Sequence, residues 1–125
     1  MHQKNSLRYA TMLYKFKSKN TGDVIMLQPN GRRVLQIIGK DVPEDIDTTG
    51  EKGIILPEQM PAAIAALEAA IAREEADQKA ALAEALARQE PAPHFESVSL
   101  RQRAQPFIEM LKRCQEDGSE VVWGV

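Results

Sequence analysis

MLYKFKSKNTGDVIML, residues 12–27, carries two β-prone runs around a cluster of turn formers. Successive side chains of an extended chain alternate, so Tyr14 and Phe16 fall on one side of the first run and Leu13, Lys15 and Lys17 on the other. The SKNTG segment at 18–22 supplies a turn and DVIML runs back, which predicts a β-hairpin over 12–27. In the returning strand Val24 and Met26 point one way, Ile25 and Leu27 the other. A strand apolar on both faces is expected in the interior of a sheet.

Working outward, residues 1–11 are polar and aperiodic, and are expected to be a disordered tail before one domain spanning 12–125, with Met12 a candidate start. After the hairpin, Pro29, Asn30 and Gly31 break the strand, and Asn30 can cap a short helix carrying Val34, Leu35 and Ile38 up to Gly39. KDVPEDIDTTGEK, residues 40–52, reads as an acidic loop. Gly53 to Leu56 lead into Pro57, which suits the first turn of a helix, as does Pro61. Thirteen of the 26 residues from Ala62 to Ala87 are alanine, the best helix former. The apolar stripe of Ile64, Leu67 and Ile71 lapses at Glu74, so this helix is expected to dock up to about residue 73 and to project beyond it, carrying Leu82 and Leu86. Pro91 and Pro93 end it. Ser99 with Gln102 is a capping box opening a last helix, with Gly118 as its stop and Pro106 expected to kink it or delay its start. The terminal VVWGV completes a three-stranded antiparallel sheet. The expected fold is α+β: the N-terminal hairpin plus the C-terminal strand, packed against two main helices and one short one.

The net charge of −2 conceals segregation. Residues 1–40 carry +7, residues 41–90 carry −8 and the remainder −1. A basic third fits an anionic partner, nucleic acid included, or a sheet side that faces its own acidic helix; the sequence leaves both open. Lys15 and Lys17 form a candidate basic patch. Their strand opposes lysines to aromatics, whereas RNA-reading sheets stack bases on exposed aromatics beside the cations. Asn30, Gly31, Arg32 and Arg33 form a candidate anion site, because a helix start offers free N–H groups and the two arginines add guanidinium groups. Two arginines at a short helix's start also fit plain solvated surface. Arg101 and Arg103, in the first turn of the last helix, oppose its dipole and imply a contact elsewhere, with the acidic helix as the candidate partner.

No catalytic residues emerge, because no Ser/His/Asp set or ordered Cys/His pair is present, and an enzyme is not expected. Residues 45–50 mimic the first half of a calcium loop, but Lys52 and Leu56 stand where an apolar residue and the bidentate glutamate belong. Neither a metal nor a cofactor is expected. One cysteine, Cys114, on an apolar stripe, together with the lack of a secretory or membrane-spanning segment, predicts a cytoplasmic protein.

Six segments in order, MLYKFKS from Met12, GDVIML from Gly22, PNGR from Pro29, PEQMPAAIAALEAAI from Pro57, SLRQRAQPFIEMLKR from Ser99 and VVWGV from Val121, resemble the bacterial domain-of-unknown-function family 1840. The resemblance implies a start at Met12 and brings no activity or binding residues. Residues 41–52 and the stretch after 73 depart from the common pattern. The expected function is therefore a non-catalytic module that binds a protein partner or itself, through the second face of the sheet (Leu13, Ile25, Leu27) or the end of the long helix. The alternative is a polyanion bound by the basic third.

Overall fold

The computed structural model describes residues 13–40 and 52–124. Strands β1 (Leu13–Ser18) and β2 (Thr21–Leu27) form the expected antiparallel hairpin, and β4 (Val121–Trp123) pairs with β1 at Lys17 and Val122. A fourth strand, β3 (Gly53–Ile55), pairs antiparallel with β4, and the sheet order is β2-β1-β4-β3. The sheet is therefore four-stranded, not three-stranded. A three-residue strand is too short to show a period of two, and Pro57 just beyond it is a helix-start signal. The tail at 1–11, Met12 and the half-motif at 45–50 lie outside the described residues.

The order corrects a second expectation, since β2 lies at the edge of the sheet rather than inside it. Its two apolar faces do not mean two covered faces. Met26 is buried against the helices, whereas Ile25 and Leu27 are 56% and 61% exposed.

Three α-helices cover the other side of the sheet: α1 (Gln28–Ile37), α2 (Met60–Ala87) and α3 (Leu100–Asp117). Helix α1 begins directly from β2, three residues earlier than the sequence implied. Leu27 is its N-cap, Pro29 lies in the first turn, and Asn30 is inside the helix rather than capping it. Pro57 opens a single 3₁₀ turn (Pro57–Gln59) and Pro61 sits in the first turn of α2, so neither proline interrupts a formed backbone bond. Helix α3 opens at Ser99, whose Oγ accepts from the Gln102 N–H while the Gln102 side chain accepts from the Ser99 N–H. It runs without a late start through Pro106, which is exposed, so the missing bond falls on the solvent side. It stops at Gly118, left-handed at φ 70°, with the Ser119 N–H returning to the Cys114 carbonyl at 3.0 Å.

One apolar core lies between sheet and helices. Phe16 is at its centre, 4.6 Å from Phe107 and 5.5 Å from Trp123 between ring centroids, with Tyr14 stacked beside it at 5.9 Å. The stripe of α2 enters this core up to Ile71. Beyond Glu74 the helix extends roughly 20 Å further, with Leu82 and Leu86 exposed and Ala85 buried.

Close approach fixes two glycines. A β-carbon on Gly31 would lie 2.2 Å from Tyr14 Cδ2, and one on Gly53 would lie 2.1 Å from the Trp123 indole. Helix α1 can thus seat on β1 only through Gly31. Gly31→Ala is expected to cost about 1–3 kcal/mol, as overpacking does, read as a lowered urea midpoint; an unchanged midpoint would contradict this packing.

Candidate functional site

The helices lie on one side, so the opposite face of the sheet is bare among the described residues. β1 contributes Leu13, Lys15 and Lys17 to it, β2 Asp23, Ile25 and Leu27, β4 Val122 and β3 Ile54. Each lies at the register position between residues that point into the core. Lys15 is directly opposite Ile25, and Val122 lies between Lys17 and Ile54. The result is an apolar surface crossed by two lysines. Soluble proteins seldom leave contiguous apolar surface uncovered without a partner. At the hairpin end a hollow of about 550 Å³ is lined by Lys17, Ser18, Lys19 and Asp23 of the hairpin and Gly118, Ser119, Glu120 and Val122 from the other side. Val122 joins this face through its pairing with Lys17, and Ile54 only because β3 exists.

The six cations and neighbours read from the sequence are divided between the two sides of the sheet. Lys15 and Lys17 lie on the bare face. Asn30, Gly31, Arg32 and Arg33 lie on α1, across the sheet from them. Gly31 is buried against Tyr14, so its open side is filled by that ring. Arg32 is partly buried, and its Nε is enclosed without a partner among the described residues. Arg33 donates from its guanidinium to Glu74 Oε2 at 2.9 Å.

Glu74 joins three helices, because its Oε1 also accepts from the Leu100 N–H at the start of α3, at 3.0 Å. Its neighbour Glu75 takes both arms of Arg101, from Nε at 2.8 Å and from a terminal nitrogen at 2.9 Å. Arg101 therefore opposes the dipole of its own helix while pairing with α2, as its placement implied. The Leu100 N–H first, and Arg33 second, hold the Glu74 carboxyl below its ordinary value of 4.5, against the opposing effect of burial. The hydrogen bond from Arg101 does the same for Glu75, and Glu75 in turn raises Arg101. A third cluster ties the hairpin turn to the end of α3: Ser119 Oγ donates to Asp117 Oδ2 at 2.7 Å, and Asn20 Nδ2 donates to the same oxygen. These bonds, the Ser119 one foremost, lower the Asp117 carboxyl below 3.8.

All three carboxylates act as braces between elements. Among the described residues no group of three or more His, Cys, Asp or Glu side chains could hold a metal ion, and no helix is long and apolar enough to cross a membrane.

The family model described as Domain of unknown function (DUF1840) matches residues 12–123, from the start of the hairpin through β4. The chain belongs to the DUF1840 family. No curated protein and no solved structure matches it. The match spans every element of this DUF1840 fold, including the acidic residues 41–51 and the alanine-rich end of α2.

Lowered carboxyl values set the sign of the acid response. Each such group stabilises the fold fully above its ordinary range, and that contribution is lost as pH falls through the lower folded value. Glu74→Gln keeps an acceptor for the Leu100 N–H but removes the charge. It is expected to lower stability at neutral pH by about 0.5–1 kcal/mol and to flatten the decline on acidification. Urea unfolding at about pH 7, 5 and 3 measures both; identical pH dependence in the two proteins would remove Glu74 from this role.

Proposed function

We propose that this DUF1840 domain is a non-catalytic interaction or regulatory module of the bacterial cytoplasm that docks a protein partner on the bare face of its sheet. One observation carries the proposal: Ile25, Leu27 and Ile54 are exposed together with Lys15, and with Lys17 half-buried beside them, on the side that the helices leave uncovered. Lys15 and Lys17 within an apolar field fit a partner surface that is apolar at its centre and acidic at its border, since charge complementarity sets orientation and on-rate while apolar burial supplies affinity. The titratable groups with shifted values, Glu74, Glu75, Arg101 and Asp117, are occupied in bracing the fold, which supports a role in binding rather than catalysis. Cys114, free and buried, acts as a small core hydrophobe and suits a reducing compartment.

The rival reading, a polyanion such as nucleic acid, draws on the same two lysines, but Arg33 is engaged by Glu74 on the far side of the sheet. A divided set of cations supports a protein partner over a continuous phosphate-tracking surface.

Affinity capture with the full chain, with and without nuclease and at low and moderate salt, compares wild type with Leu27→Asp and with Lys15→Glu/Lys17→Glu. The expected result is a defined protein retained after nuclease, lost with Leu27→Asp and weakened roughly tenfold by the double charge reversal, consistent with rim charges acting mainly on association. Retained material that disappears with nuclease, or binding indifferent to Leu27→Asp, would overturn the reading.

A further inference from the structure

The seven-residue edge strand β2 has the composition of an interior strand. Edge strands present a row of backbone N–H and C=O groups, and soluble proteins usually blunt them with shortness, proline, lysine, a bulge, an inward charge or a covering segment. The two edges of this sheet differ in that respect. At the β3 edge only three residues are exposed to pairing, and the Ile54 carbonyl accepts from Lys40 Nζ at 2.9 Å. The β2 edge contains no proline and no lysine, its one charge is Asp23, and among the described residues no backbone group outside the hairpin pairs with it. The one irregularity in the hairpin is a bulge in β2 near the turn, where Gly22 and Asp23 oppose Lys17, and it leaves Val24–Leu27 in regular register.

We propose that β2 pairs antiparallel with β2 of a second copy of this chain, joining the two four-stranded sheets into one. A second copy supplies a strand of equal length, and a two-fold axis at Ile25 satisfies the hydrophobic register. Ile25 then faces Ile25 of the other copy, Val24 faces Met26, and Leu27 faces Asp23 while lying on the diagonal beside Ile25, so the apolar surface crosses the joint at its centre with one aspartate at each end. Charge selects this arrangement over packing the two bare faces together. Face packing sets Lys15 and Lys17 of one copy against those of the other. Edge pairing keeps the Lys15 side chains three strand spacings apart, roughly 14 Å, beyond the screening length of about 8 Å at physiological salt. The pairing stands on the edge alone and does not depend on a partner docking on the face; it would double that face if both hold.

Sedimentation equilibrium of the full chain tests the proposal, with two kinds of variant. The wild type is expected to form a reversible dimer of twice the 13.9 kDa chain mass. Ile25→Lys, at an exposed position, is expected to weaken it at least tenfold while circular dichroism stays unchanged. With Cys114 buried, an introduced thiol is the reactive one: Ile25→Cys is expected to cross-link on mild oxidation, because directly opposed residues in an antiparallel pair lie within disulfide reach, and Val122→Cys, in mid-face, is not. A wild type that stays monomeric on concentration overturns the pairing and leaves the docking reading intact. So does a dimer in which Val122→Cys cross-links as readily as Ile25→Cys, since that places the copies face to face. Should Ile25→Lys misfold, the two cysteine variants decide alone.

Discussion

Phe16 holds the architecture together. It lies on a central strand, its ring touches Phe107 of the last helix and Trp123 of the last strand, and it is fully buried. Three segments far apart in the chain therefore meet at one side chain. Aromatic pairs in tilted and edge-on arrangements add to the burial that such large side chains already supply. Once Phe16 faces inward, the alternation of the strand sends Lys15 and Lys17 outward, and the pairing of β1 with β2 and β4 places Ile25, Leu27 and Val122 on the same outward face. The core and the bare surface are two consequences of one strand orientation.

The helices cannot cover both sides. Helix α1 leaves β2 without a turn, which confines it to the inner face, and Gly31 presses its backbone against Tyr14. The other two helices are locked to it and to each other on that same side, where Glu74 bridges Arg33 and the start of α3, and Glu75 grips Arg101. Such exposed ion pairs are individually weak. Their value here is positional, since they fix where α3 begins relative to α2. The acidic middle of the chain is thus partly spent on the helix side, and the lysines of the bare face are left without acidic partners among the described residues.

Much of this was legible in the sequence because it is written in local signals. The hairpin came from alternation and a turn cluster, helix α3 from the Ser99 and Gln102 pair and Gly118, and the extent of docking in α2 from the lapse of its apolar stripe at Glu74. What escaped was non-local. Nothing in Gly53-Ile54-Ile55 distinguishes a short strand from the approach to a helix until β4 is beside it. Apolar residues on both faces of β2 suggested an interior strand, because composition reports what a residue prefers and not what is available to cover it. For the same reason the even division of lysines and arginines across the sheet was invisible: only β2 separates β1 from α1 in the sequence, yet the sheet stands between Lys15 and Arg33. Such a conflict between local composition and position is what a binding surface produces.

The central claim is that, among the described residues, the sheet is covered on one face only and left open at β2. Amide hydrogen exchange of the full chain across a dilution series measures this residue by residue. Exchange is expected to be slow at all concentrations in β4 and where β1 is flanked by β2 and β4 around Lys17, while alternate amides of Thr21–Leu27 exchange rapidly in dilute solution and slow as the protein is concentrated. Protection of every β2 amide even at the greatest dilution would contradict the account, because it would mean that one chain already covers its own edge.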